Sequence, residues 1–119
     1  MKNIRFCYLY RDGSNFKSWG EVIFLNHENL SITEIEEKII HAFLPDKLFV
    51  ASQISLPERF LFAGEKHTKY DHCYHEFDYL EMCAEEPTDA LNRSISDFIK
   101  EIEAAEKQGW KAFDILERA

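Results

Sequence analysis

The sequence predicts an α+β fold, a two-layer sandwich in which two helices cover one face of a mostly antiparallel sheet of about four to five strands. Three observations lead to this prediction. Two strand-like segments at the start are joined by a turn, two helix-capping signatures each precede a helical stripe, and strands and helices do not alternate regularly. The chain has 119 residues, of which 45% are hydrophobic. This is the size of one domain, spanning residues 1–119.

The first two strands form a predicted hairpin. Apolar side chains recur at every second position from Ile4 to Tyr10, the period of a strand. Residues 11–15 are a cluster of turn formers, and residues 19–25 are rich in Val, Ile and Phe, which favour a second strand. The loop between them is longer than a tight two-residue turn.

Two helices follow from capping patterns and periodicity. Ser31 with Glu34 is a capping box, and an apolar stripe then predicts a helix over residues 32–44, ending before Pro45. A second helix begins after Ser94. Its apolar stripe consists of Ile95, Phe98, Ile99, Ile102 and Ala105. Gly109 is a suitable residue to end it.

The remaining segments are assigned from composition. Composition predicts two short strands, over residues 47–51 and 59–63, that are separated by Pro57. It predicts a loop over residues 64–69 and a further strand over residues 73–83. The predicted order is therefore ββαβ(β)βα. Residues 110–119 are either one more helical piece or an arm that docks on the sheet or on a partner.

The net charge of −8 lies entirely in the C-terminal part of the chain. Residues 1–70 contain nine basic and nine acidic residues, whereas residues 71–119 contain five basic and thirteen acidic residues. A nucleic-acid binder that uses broad electrostatics needs a basic face, so this class of partner is disfavoured. The acidic part, residues 71–119, is either a solvated face or a functional patch that attracts basic partners.

The compartment is predicted from the cysteines and from hydropathy. The three cysteines form no C-x-x-C pair, which favours free thiols in a reducing cytoplasm. No apolar run approaches about 20 residues, the length needed to cross a bilayer, and no leader pattern precedes the first strand. We therefore expect a cytoplasmic protein without a membrane segment.

One candidate site is a divalent-metal cluster in residues 71–76. Its proposed ligands are His72, His75 and Glu76, and imidazole and carboxylate suit Zn, Mn, Fe or Ni. A helix would put both histidines on one face, whereas the preferred strand puts them on opposite faces. The alternative is a set of ordinary strand residues. A third histidine ligand would come from another part of the chain: His27, His41 or His67.

A second candidate site is a polar cluster at the hairpin. Its predicted ligand-binding residues are Tyr10, Arg11, Asp12, Ser14, Asn15 and Lys17. Arg side chains and backbone N–H groups can hold a carboxylate or a phosphate. The alternative is an ordinary turn whose polar side chains bond their own backbone.

Several short motifs resemble those of a known group of proteins. They are Tyr10-Arg11-Asp12-Gly13-Ser14-Asn15-Phe16-Lys17, Gly20-Glu21-Val22, Asp71-His72, His75-Glu76-Phe77 and Glu86-Pro87-Thr88. These segments resemble small uncharacterised bacterial proteins that share a Y-R-D-x-S-N-aromatic-K opening and a late H/W-E-F segment before a P-T turn. The group has no established activity, so the resemblance implies no function. It implies that the two polar clusters form one joint site.

The sequence leaves two functions open. The preferred one is a non-catalytic module that binds a protein partner or a second copy of itself, because no complete catalytic signature is found. The alternative is a small metal-assisted enzyme or ligand-binding domain. In it His72, His75 and Glu76 would act as ligands or general base, with Arg11 as an anion clamp.

Overall fold

The computed structural model describes residues 2–12, 15–60 and 72–114. The strands are β1 (Asn3–Arg11), β2 (Lys17–Phe24), β3 (Leu48–Phe49) and β4 (His75–Cys83). The helices are α1 (Ile32–Ala42) and α2 (Ile95–Gln108), and two 3₁₀ turns cover Pro45–Lys47 and Ala51–Ile54. The predicted α+β class is confirmed: four strands form an antiparallel sheet, accompanied by two helices.

The sheet has the order β2-β1-β4-β3, and each neighbouring pair is antiparallel. Cys7 on β1 lies opposite Glu21 on β2 and Tyr79 on β4, so these three side chains form one row on one face. The register shifts after Cys7, because Tyr8 pairs with Phe77 and leaves Asp78 as an extra residue on β4. Strands β2 and β3 form the two edges of the sheet.

The third predicted strand is shorter than expected, and Arg59 and Phe60 are not in a strand. Only Leu48–Phe49 of residues 47–51 pairs with β4. The chain after it is held by side chains instead of by a neighbouring strand. Tyr8 donates its hydroxyl to the Pro57 carbonyl at 2.6 Å, and the Arg59 N–H donates to His75 Nε2 at 2.8 Å. Residues 61–63 and the predicted loop over residues 64–69 lie outside the described residues.

Both helices begin at the predicted serines. Ser31 accepts a hydrogen bond from the Glu34 N–H, and Ser94 forms a reciprocal capping box with Asp97. Helix α1 ends at Ala42, two residues earlier than predicted, because Phe43 and Leu44 adopt extended conformations. The residue before a proline is pushed out of the helical region in this way. Helix α2, at 14 residues the longest one described, is too short to cross a bilayer, and no described helix is long and apolar enough to do so.

The core lies between the helices and the even-numbered side chains of β1. Phe6 is fully buried, and its ring lies within 5.1–6.1 Å of the rings of Phe49, Phe77 and Phe98. Both helices add apolar side chains to the same cluster, chiefly Ile35, Ile39, Ile99 and Ile102. The core therefore depends on aromatic contacts among three strands and α2.

The chain after α2 is not helical over residues 110–114. Trp110 donates its indole N–H to the Ala42 carbonyl at the end of α1, at 2.8 Å, and its ring lies 6.2 Å from that of Phe43. Residues 110–114 are therefore not the helical piece among the two predicted alternatives, and Trp110 contacts the end of α1. Residues 115–119 lie outside the described residues.

Candidate functional site

The structure brings the two predicted polar clusters together. The Arg11 guanidinium, at the end of β1, contacts both carboxylate oxygens of Glu76 on β4 at 3.3 and 3.2 Å. The Arg11 carbonyl also lies 2.8 Å from His72 Nε2. Adjacent antiparallel strands place these residues side by side, since Leu9 is the partner of Glu76 in the sheet. The clusters are neighbours, and their charged groups satisfy one another.

The polar residues of the hairpin bond chiefly within the turn. Asp12 accepts the Phe16 N–H with its side chain at 2.9 Å, and its carbonyl accepts the Asn15 N–H at 3.0 Å. Asn15 takes a left-handed conformation with φ of 69° and accepts a hydrogen bond from Arg11. Tyr10 is buried. Lys17 lies opposite Arg11 in the backbone register of the hairpin. Ser14 lies outside the described residues.

Both ring nitrogens of His72 are engaged. A carbonyl oxygen can only accept, so Nε2 donates its hydrogen to Arg11. The other nitrogen, Nδ1, accepts the Tyr74 N–H at 3.0 Å. A metal ion could coordinate this imidazole only after one of these bonds is broken.

His75 is fully buried among aromatic rings. The rings of Tyr8, Tyr10, Phe49 and Phe60 lie 4.9–6.2 Å from its imidazole. Its Nε2 accepts the Arg59 N–H, so Nδ1 carries the hydrogen, and Nδ1 has no hydrogen-bond partner among the described residues. Burial, helped by the nearby His72 and Arg59, lowers the pKa of His75 to about 4. The imidazole is therefore neutral at pH 7.

The described ranges contain no group of three or more His, Cys, Asp or Glu side chains placed to hold a metal ion. His27 and His41 are exposed, and His67 lies outside the described residues. The metal site of His72, His75 and Glu76 therefore stays a prediction.

A different set of residues forms an open pocket of about 370 Å³ on the sheet. Trp19 and Tyr79, which are 58% and 46% exposed, contribute to its lining. Its remaining lining residues are Cys7, Gly20, Glu21, Arg59 and Asp78. Burial raises the pKa of the Cys7 thiol, so this thiol is protonated and weakly nucleophilic at pH 7. The hydrogen bond with Cys7 in turn raises the pKa of Tyr79.

The outer edge of β2 borders this pocket. Ile23 directs its backbone groups away from β1: its N–H donates to Thr88 Oγ1, and its carbonyl accepts the N–H groups of Thr88 and Asp89. Alternate residues of a strand direct these groups the same way, so Lys17, Trp19 and Glu21 also direct theirs outwards. In the part of the chain that the structure describes, nothing pairs with the outward groups of residues 17–21. We call this stretch the open edge.

The open edge and its pocket are largely outside the residues predicted from sequence. Polar and titratable residue types point to residues 71–76 and to the hairpin turn, whereas the sequence around Trp19 predicts only a strand. The usable signal was the alternation of β1 and β2, because hairpin pairing places Trp19, Glu21 and Cys7 on one face. None of the family models, curated proteins or solved structures compared with this chain matches it.

Proposed function

We infer that the chain is a non-catalytic interaction module that binds a protein partner by adding a β-strand of that partner to the open edge. An unpaired edge offers a row of N–H and C=O groups to another extended chain. Here that row covers residues 17–21, with the exposed aromatic Trp19 at its centre and the exposed Phe16 directly before it. This open edge with its exposed aromatics is the observation that carries the proposal.

The other edge of the sheet offers much less. Strand β3 contains only two residues, and the adjoining Leu44 N–H is already bonded to the Leu48 carbonyl at 2.9 Å. Upstream of residue 23 the β2 edge is open for five residues, and beyond that point Thr88 closes it. A partner strand therefore gains the most backbone hydrogen bonds at residues 17–21.

Catalysis has less support than binding. Arg11 is bonded to both Glu76 and His72, and His75 is buried and neutral at pH 7. A general base must reach a substrate proton with an available lone pair. The metal-assisted alternative would require the chain to exchange these internal contacts for metal coordination.

Two finer expectations from the sequence, the layering of the fold and the compartment, also belong to this proposal. The same core cluster contains α1, α2 and the even-numbered residues of β1, which supports a two-layer arrangement with both helices on one face of the sheet. The opposite face then holds the Trp19 and Tyr79 side chains. The thiols of Cys7, Cys73 and Cys83 are free, which supports a cytoplasmic location.

Selection from a displayed library of random peptides tests the proposal. We expect selected peptides to slow hydrogen exchange at the N–H groups of Lys17, Trp19 and Glu21. The matched pair of variants is Trp19→Pro, which removes an outward N–H without breaking a bond to β1, and Trp19→Thr, which keeps it. Binding that survives Trp19→Pro unchanged, or protection confined to another surface, would contradict strand addition at this edge.

A further inference from the structure

We propose that the strand received by the open edge is β2 of a second copy of this chain, aligned antiparallel about a two-fold axis at Trp19. This inference rests on the proposed function and names its partner. In this register Trp19 faces Trp19 of the second copy, and Lys17 faces Glu21 at both ends. The two four-stranded sheets become one continuous sheet across the axis, an isologous contact of the kind that closes a dimer.

The backbone of the open edge suits this register. The outward groups belong to Lys17, Trp19 and Glu21. In an antiparallel pair, residues that direct their groups at the partner exchange both N–H···O bonds with the residue opposite. With the axis at Trp19, all three residues face one another across the two copies, and each donates one N–H and accepts one.

Neighbouring registers are less favourable. Moving the axis to residue 18 would place Glu21 opposite Asn15 in the turn, and moving it to residue 20 would place Lys17 opposite Ile23, so each shift leaves one outward residue without an available partner. Moving it to Glu21 would place Trp19 opposite Ile23, whose N–H and carbonyl are held by Thr88 and Asp89. Moving it to Lys17 would place Trp19 opposite Asn15, which lies in the turn. The Trp19 axis alone uses the whole of the open edge.

The side chains of the open edge are self-complementary. Lys17 is cationic and Glu21 anionic, and the two-fold axis sets each opposite the other, which gives two cross-strand ion pairs. Glu21 also contacts Arg5 at 2.6 Å, but its side chain is 59% exposed and leaves a carboxylate oxygen for a second cation. Between the ion pairs, the Trp19 rings form an aromatic cross-strand pair.

The other face of the open edge presents little bulk. Ser18 and Gly20 are the residues there, and this register pairs Ser18 with Gly20 of the second copy. Gly20 already accommodates Arg59, whose Nε lies 2.8 Å from the position a Cβ would take. A larger residue there would displace Arg59 or the Tyr8 ring.

Charge-swapped variants test the register. We expect sedimentation equilibrium of the full chain to give a concentration-dependent mass approaching two chains. Lys17→Glu and Glu21→Lys alone should each weaken association about tenfold, because each replaces two attractive pairs with two repulsive ones. Mixing the two variants should restore association as a heterodimer, since all four facing residues are then of opposite sign. Lys38→Glu, on the exposed side of α1, is the control and should leave the mass unchanged.

Each remaining outcome separates this inference from the proposed function. A mass of one chain at every concentration overturns the second copy as partner, and peptides that still protect Trp19 from exchange would leave strand addition standing. If the chain shows no dimer and no selected peptide protects Trp19 from exchange, both proposals are overturned. A dimer whose variants do not recover on mixing overturns the Trp19 axis. Circular dichroism of each variant confirms that a loss of association is not a loss of folding.

Discussion

At the scale of single residues, His75 has a position that its sequence neighbours do not reveal. Its alternation with Phe77 predicts one face of a strand, and the structure makes that face the core. The imidazole there receives the Arg59 N–H and so holds the chain after Pro57 against the sheet. A histidine in a histidine-rich segment invites a metal-site interpretation, yet this one is an internal acceptor. Burial is set by tertiary packing, which a single sequence does not display.

This burial makes folding stability depend on pH. The unfolded His75 titrates near its ordinary value of 6.5, whereas the folded pKa is about 4. Between these values the unfolded chain binds more protons, so the free energy of unfolding falls as pH decreases from 6.5 towards 4. We expect urea unfolding to show a loss of about 2 kcal/mol between pH 6.5 and 5. His75→Gln should flatten this slope, and His41→Gln, at an exposed helical position, should not. An equal slope in His75→Gln would assign the dependence to other groups.

At the scale of elements, periodicity and capping locate the first two strands, β4 and the two helices. These signals are local: a run of alternating side chains, or a serine followed by an acid and an apolar stripe. After β3, in contrast, the Pro57 carbonyl and the Arg59 N–H are bonded by the side chains of Tyr8 and His75, and no local pattern announces such bonds. Partners distant in sequence decide the conformation of this part of the chain. The strand expected at residues 59–63 therefore does not form at Arg59 and Phe60.

Arg93 links three elements through one buried side chain. It forms hydrogen bonds with Asp89, Glu101 and the Ile54 carbonyl, and its guanidinium lies 5.0 Å from the centre of the Phe98 ring. Although burial opposes the charged form, these bonds lower the pKa of Asp89 and raise the pKa of Arg93.

We expect Arg93→Met to lower the free energy of unfolding by about 3–5 kcal/mol, because it leaves Asp89 charged and buried. Adding Asp89→Asn should recover part of this loss, and Lys100→Met, on the exposed side of α2, is the control. Denaturant titration measures all three. A loss below about 1 kcal/mol for Arg93→Met would show that the pair contributes little to the link.

At the scale of the whole molecule, the polar cluster of Arg11, His72 and Glu76 and the exposed Trp19 lie at different places on the sheet. The negative charge of residues 71–119 follows from counting acidic and basic residues in the sequence. The resemblance implies that the two polar clusters lie together, and Arg11 and Glu76 are in contact. Counting residues does not show which polar cluster is exposed to solvent, because that exposure depends on how the strands pair. Paired strands bring Arg11 to Glu76 and close that site internally. The same pairing leaves Trp19 at the outer edge, outside both of the clusters that the sequence predicts as sites.

The two tryptophans should therefore have opposite roles. Trp110 lies partly buried against the core and donates to the Ala42 carbonyl, so Trp110→Ala should cost about 2 kcal/mol of stability. It should leave self-association unchanged, because Trp110 packs against Ala42 and Phe43 at the end of α1 and not on β2. Trp19 is 58% exposed, so Trp19→Ala should change stability by less than about 0.5 kcal/mol and still weaken association. Denaturant titration and sedimentation on the same two variants measure both quantities. If Trp19→Ala destabilised the monomer as much as Trp110→Ala, Trp19 would belong to the core and the open edge would lose its central contact.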